Sequence, residues 1–385
     1  MDKKNIYLMY GIALLQGMVF YGPIATLYRQ AQGVSVMQIT VIESISLAVC
    51  LLLELPWGII ADKIGYKRTM VFCCGLYFIS KIVFWQANSF AAFLLERLIL
   101  SVVIAGLSGV DVSVLYLSCE KDKSQRVFGF YNSLQTTGLL IAALVFSVTV
   151  GDNYKLAGFL TVVSYGLAAL LSFGLSEVHS EDCRHSSASD FANLLLQTLK
   201  NEYLLIFLVG VAFLNETHQT ITVFLNQLQY VKCGLSASTI GYIYIAVTIA
   251  GLCGALSSRF IKRVGVVRSA IMLYLAAIIA CVVLAFTGRA WLSVAAILTL
   301  RISFSLFQPL QTELQNRQIY TQNRATALSI NSVIMDSVGV GTNVAFGALA
   351  ERNLTVAFLM GGGLCAVGAI LFATWYQNCH IMKCA

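Results

Sequence analysis

Apolar residues run through the chain in blocks, each bounded by short polar or charged clusters. A helix needs about 20 mostly apolar residues to cross a bilayer, and windows of that kind fall at roughly residues 6–28, 36–60, 68–87, 89–118, 127–150, 154–176, 203–231, 236–258, 268–287, 290–316, 324–349 and 353–376. Barrel strands would be about ten residues long with strict alternation, and runs such as 139–150, LLIAALVFSVTV, do not alternate. Helices satisfy their own backbone hydrogen bonds in lipid. The pattern therefore predicts an all-α polytopic membrane protein with twelve transmembrane helices.

The longest polar stretch, residues 177–202, falls between the sixth and seventh windows. It predicts three parts: a six-helix bundle over 1–176, a cytoplasmic linker over 177–202, and a second six-helix bundle over 203–385. Within the linker, Phe191, Leu194, Leu195 and Leu199 fit one face of a short amphipathic helix. The halves also match each other. Gly33-Val-Ser-Val-Met-Gln-Ile39 lines up with Gly234-Leu-Ser-Ala-Ser-Thr-Ile240, and Lys63-Ile-Gly65-Tyr-Lys-Arg68 with Arg263-Val-Gly265-Val-Val-Arg268. Both matches fall at the same place in the six-span pattern. Repeated halves around one central site are the architecture of alternating-access carriers.

Composition narrows the class. Hydrophobic residues make up 58% and charged residues 11%, too few charges to cover a soluble surface of this size. That excludes an ordinary soluble enzyme, a disordered chain and a nucleic-acid binder. Most of the 25 basic residues, among them Lys3, Lys4, Lys63, Lys67, Arg68, Lys200, Arg263 and Arg317, fall on one side of the pattern. Arg29, Lys155, Lys232, Arg289 and Arg352 fall on the other. The positive-inside rule then places both termini in the cytoplasm. The first block is too long for a signal-peptide core and lacks a cleavage site, so it reads as a retained span. The net charge of +7 is explained by inner loops facing anionic lipid and needs no nucleic-acid partner. The expected partners are a small-molecule substrate and the lipid bilayer, with the chain a monomer.

The chain has 11 cysteines, most of them inside windows, where small buried hydrophobes is the favoured reading. Cys379, His380 and Cys384 lie in a tail, and His179 and His185 in the linker; neither set has a preset metal geometry. No metal or cofactor is expected, and a proton gradient is the expected driving force. Pro23, Pro56 and Pro309 fall within spans one, two and ten, where proline frees a carbonyl and permits a bend. Asn353-Leu-Thr355 fits a glycosylation sequon on an outer loop.

Between spans two and three the chain reads Gly58-Ile-Ile-Ala-Asp62-Lys63-Ile-Gly65-Tyr-Lys67-Arg68. This resembles the G-x-x-x-D-R-x-G-R-K loop of the major facilitator superfamily, with Lys63 and Tyr66 replacing two arginines. The resemblance implies a gating loop. Asp62 would face the N-terminus of span eleven, where the helix dipole favours an anion. Lys63, Lys67 and Arg68 would pair with Glu120, in competition with Arg126. Arg97, early in span four, sits where many members carry an arginine associated with proton coupling, but the glycine expected after it is absent. Arg324-Ala-Thr-Ala-Leu-Ser329 and Glu54-Leu-Pro56-Trp-Gly58 also resemble family segments. Span five holds Gly138 but no proline, so it departs from the G-x-x-x-G-P-x-x-G-G pattern of drug/proton antiporters.

Ionisable groups inside spans are costly and therefore candidates for function. Glu54 and Glu313 lie near span ends, and Lys81 and Glu96 are placed to pair with each other. Asp111, Glu216, Arg301 and Asp336 lie deepest. Glu216 leads the candidates, with Asn215 beside it and Gln219 on its own helix face. It could carry a proton, balance a cationic substrate or form a fixed ion pair with Arg301; Asp336 is the rival partner. Arg301 could instead hold a substrate anion. The resemblance implies that spans one, four, seven and ten line the cavity, with two, five, eight and eleven beside them. Tyr10, Gln16, Tyr21, Gln135 and Asn331 then offer neutral hydrogen bonds.

The leading reading is a secondary active transporter of a small organic solute, working by alternating access and coupled to protons. The alternative is a multidrug/proton antiporter exporting amphiphilic compounds. A membrane enzyme or a non-transporting receptor is disfavoured, because no phosphate loop, HExxH or GxSxG motif occurs; the missing nucleotide motif also argues against an ATP-driven pump.

Overall fold

The computed structural model describes residues 3–120, 124–178, 195–318 and 324–384, with side chains for all of these but 54–55, 58–63, 125, 324–326 and 379–384. The described residues form helices and connecting turns, and no strand occurs among them. The 12 helices long and apolar enough to span are Lys3–Ala31, Val36–Leu53, Tyr66–Gln86, Phe90–Ser118, Arg126–Val150, Tyr154–Ser172, Glu202–Lys232, Ala237–Val264, Val266–Phe286, Ala290–Arg317, Ala327–Arg352 and Leu354–Asn378. These are spans one to twelve below, and each overlaps the window read from the sequence.

The chain divides into two compact units. The first holds Met1–Arg184 and Ser236–Ile245, and the second holds His185–Leu235 and Ala246–Ala385. Within the first unit, span one packs on spans five and six, span two on span four, and span three on spans four and six. Within the second, span seven packs on spans eleven and twelve, span eight on span ten, and span nine on spans ten and twelve. The scheme is the same after a shift of six spans. Backbone geometry repeats with it: Gly33 and Gly234 have φ of 82° and 78°, and Gly65 and Gly265 have φ of 98° and 91°. These are the glycines of the two aligned loops, at turns where a Cβ is disfavoured.

Several spans are interrupted. Span one is helical over Lys3–Gly17 and Ala25–Ala31, with a 3₁₀ turn, Gly22–Ile24, that contains Pro23. Span four is helical over Phe90–Leu107 and Val110–Ser118, and Gly109 at φ 80° breaks it. Spans five and seven carry π turns at Phe146–Val150 and Ile221–Leu225, a form often found at functional sites. Span eight narrows to 3₁₀ over Gly251–Leu256. Pro56 and Pro309 differ from Pro23, because helices Val36–Ile64 and Ala290–Arg317 continue through them.

In the first unit, span one meets span five backbone to backbone. A Cβ on Gly17 would overlap the carbonyl of Gln135, and one on Gly138 would overlap the carbonyl of Leu14. Gly138 of span five thus has a packing task. Of the linker, residues 179–194 lie outside the described residues, including His179, His185, Phe191 and Leu194; residues 195–200 are helical.

Candidate functional site

Span seven of the second unit carries the deepest acidic group. Glu216 is 8% exposed. Its carboxyl lies against the backbone of Gly339 in span eleven, where a Cβ would stand 2.7 Å from Oε2. Asp336, one turn earlier on that helix, acts on it electrostatically. Among the described residues Glu216 has no ion pair and accepts no hydrogen bond, so the fixed pair with Arg301 does not form here. Asn215 lies beside it half-buried, with Oδ1 unpartnered among the described residues. Gln219 is exposed, away from the buried face that Glu216 occupies.

Arg301 is held elsewhere. Its guanidinium crosses to span eight and lies against Gly251, where a Cβ would stand 2.5 Å from Nη2. Its Nη1 approaches His218 Nε2 at 3.4 Å. The Nδ1 of His218 is buried without a partner among the described residues. The ring stacks on Phe304 with centroids 3.9 Å apart and planes 3° apart, and Thr222 caps it at 3.2 Å. Asn331 on span eleven is also buried, with Nδ2 unpartnered among the described residues. The sequence signal for His218 was its place two residues beyond Glu216, which gave no reason to single it out.

The first unit holds a different cluster. Glu43 of span two binds Arg97 of span four closely and Arg29 of span one at 3.2 Å. Glu96 stands 3.8 Å from Arg29, 3.8 Å from Lys81 and 4.0 Å from Arg97. Lys81 donates to Tyr21 Oη at 3.1 Å and lies over the rings of Tyr77 and Tyr165. Arg29 lies over the rings of Phe84 and Phe93. Lys81 and Glu96 therefore do pair, as their positions suggested. Arg29 does not mark a loop: it is 2% exposed and joins three spans. Ser46 and Ser101, 2.8 Å apart, tie spans two and four beside Arg97.

Asp111 begins the second segment of span four. Its carboxylate accepts from the amide of Val112 at 2.7 Å and from Tyr131 Oη of span five at 3.4 Å. A carboxylate in the first turn of a helix is favoured by the backbone dipole. Tyr10, Gln16 and Tyr21 are engaged with Val127, Cys74 and Lys81, and the Gln135 side chain is exposed.

At the loop between spans two and three, the side chains of Gly58, Asp62 and Lys63 lie outside the described residues. Gly65 begins span three, and the amide of Lys67 donates to Glu177 Oε1 at 3.1 Å. The Glu177 carboxylate lies 3.0 Å from where a Gly65 Cβ would stand. Glu177, read as the first linker residue, thus caps span three. Glu120, Arg68 and Arg126 are exposed, and Glu313 pairs with Arg317 one turn away.

Comparisons with known proteins agree with this architecture. The model of the Major Facilitator Superfamily matches residues 6–343. The quinolone resistance protein NorA of Staphylococcus aureus is 22% identical over 96% of both chains. Among solved structures, the nucleoside transporter NupG superposes with a TM-score of 0.80 at 17% identity, covering 97% of this chain and 99% of NupG. A bacterial homologue of the lysosomal transporter Spinster, in an inward-facing and unoccupied conformation, superposes at 0.70 with 15% identity, covering 97% and 96%. With a family match across most of its length, twelve spans and a repeated six-span unit, the chain belongs to the major facilitator superfamily and is a multi-pass membrane transport protein.

Proposed function

We propose that the chain is a secondary active transporter that moves a small organic solute by alternating access and is driven by protons. Glu216 carries this reading. It is a buried carboxyl in mid-span, held by no cation and by no hydrogen bond among the described residues, with a second carboxylate nearby. Such a group has an incentive to bind a proton or a cationic ligand, because an isolated buried charge is costly. Asn215, His218 and Asn331 supply unpartnered polar atoms in the same unit for a solute's hydrogen bonds.

The second reading is export of amphiphilic drugs by proton exchange, favoured by the similarity to NorA along 96% of the chain. The span-five sequence, without the antiporter's proline, weighs against it. In both readings the protein is a monomer of a bacterial cytoplasmic membrane, with both termini cytoplasmic, no resident cofactor and no nucleic-acid partner. Asp62, Lys63, Lys67 and Arg68 act as its gating loop.

Purified protein in vesicles with an imposed pH gradient tests the function. A thermal-shift screen of metabolites and amphiphilic dyes at two pH values first identifies ligands, because a bound ligand stabilises by mass action. Uptake of the hits should then follow the gradient and collapse with a protonophore. Uptake that ignores both would remove proton coupling; dyes alone responding would favour the exporter.

A further inference from the structure

The cluster in the first unit is not electrically balanced. Arg29, Lys81 and Arg97 face Glu43 and Glu96, and no other carboxylate joins these ion pairs. Their surroundings are otherwise aromatic rings and neutral hydroxyls: Tyr21, Tyr77, Tyr165, Phe84 and Phe93. One positive charge in excess, inside a membrane-spanning bundle, is expensive unless something answers it.

The polar atoms also show unused capacity. Arg29 Nε, Arg97 Nε and Glu96 Oε2 are buried with no hydrogen-bond partner among the described residues. Glu96 stands 3.8–4.0 Å from its cations, beyond hydrogen-bond length. What exposure the cluster has is concentrated at Arg97 and Glu43. The side chains of Arg29, Lys81 and Glu96 are 3%, 5% and 1% exposed, against 21% for Arg97 and 13% for Glu43. A ligand therefore meets Arg97 first.

We propose that this cluster is a binding site for one monoanionic group, a carboxylate of an organic solute or a small inorganic anion, seated at the open face of Arg97. A planar guanidinium suits a carboxylate, and the excess charge supplies the attraction. Arg29 and Lys81 act from behind, through the field, without touching the ligand. The site is independent of the proton reading of Glu216, which lies in the other unit.

The charge count makes opposite predictions for neighbouring residues. Lys81→Gln removes the excess, and Glu96→Gln doubles it. The test is thermal unfolding of the purified full-length protein in neutral detergent, titrated with benzoate, with benzamide as its uncharged counterpart, and with chloride at matched ionic strength. Wild type should be stabilised by benzoate and not by benzamide. Apparent affinity for benzoate should weaken at least about tenfold in Lys81→Gln and tighten by a similar factor in Glu96→Gln. Chloride matching benzoate assigns the site to a small inorganic anion; benzoate alone assigns it to an organic carboxylate. Wild type indifferent to every anion would overturn the proposal, as would Lys81→Gln responding like wild type. Should a variant not fold, the wild-type contrast of benzoate with benzamide decides alone.

Discussion

The carboxyl of Glu216 occupies the space that a side chain at Gly339 would need, 2.7 Å from Oε2 and 2.9 Å from Oε1 to a Cβ built there. Span eleven thus admits the acid by having no side chain at that turn. The obstacle to a methyl group is the end of a flexible side chain rather than backbone, so the helix can accept alanine while the carboxyl must move.

Gly339→Ala should therefore separate stability from transport. The thermal midpoint should change by no more than about 1 kcal/mol equivalent, since alanine also favours the helix. Proton-driven solute uptake should fall at least about tenfold, as a displaced active group does. Uptake at the wild-type rate would show that the position of the carboxyl is immaterial.

Glu216→Gln keeps the size of the side chain and removes its proton chemistry. Solute flux between about pH 6 and 8 should lose its pH dependence, while exchange of solute without a gradient persists. Flux measured across a series of internal and external pH values checks this; a mutant profile with the wild-type slope rejects the proton role.

Gly17→Ala and Gly138→Ala meet backbone carbonyls, of Gln135 and Leu14, that cannot swing aside. Each should cost about 3 kcal/mol through forced separation of spans one and five. Fluorescence-detected size exclusion should show little monodisperse protein for either variant. Ample folded material would mean that the two helices have room to part.

Glu177→Gln weakens the charge-assisted bond to the Lys67 amide and the favourable contact with the start of span three. About 1 kcal/mol should be lost. Gly65→Ala should cost more, about 2 kcal/mol, because it adds left-handed strain at φ 98° to a collision with the same carboxylate. Thermal midpoints of the two variants and their combination should show less than additive loss, since both act on one contact.

The spans were legible because bilayer thickness imposes a length that no soluble helix must meet. The repeat was legible because two loops need glycine at positive φ, which leaves a residue type behind at Gly33, Gly234, Gly65 and Gly265. The charge clusters were legible only in part. Lys81 and Glu96 announce themselves as mid-span charges, but Arg29 sits at a span end, where arginine also serves as an ordinary anchor. Its burial depends on which faces of spans one, two and four meet, and that is a property of packing. Arg301 shows the same limit: its guanidinium lies against Gly251 of span eight and approaches His218 of span seven, and neither contact follows from its place in the sequence. The break in span seven leaves no trace because Ile221–Leu225 stays largely apolar, and the one in span four, at Ser108 and Gly109, is too short to interrupt an apolar window.

The break in span four has a consequence for hydration. Ser108 and Gly109 are exposed, and their backbone leaves the helical path within a spanning segment. Lipid tails offer nothing to an unpaired amide or carbonyl, so irregular backbone at membrane depth survives only against protein or in a wet crevice. Here the Ser108 amide still donates to the Ile104 carbonyl at 3.0 Å, and the Gly109 carbonyl accepts from the Ser113 amide at 3.0 Å and from its hydroxyl at 2.7 Å, so the break keeps these groups paired within the protein and does not depend on water to persist inside the span.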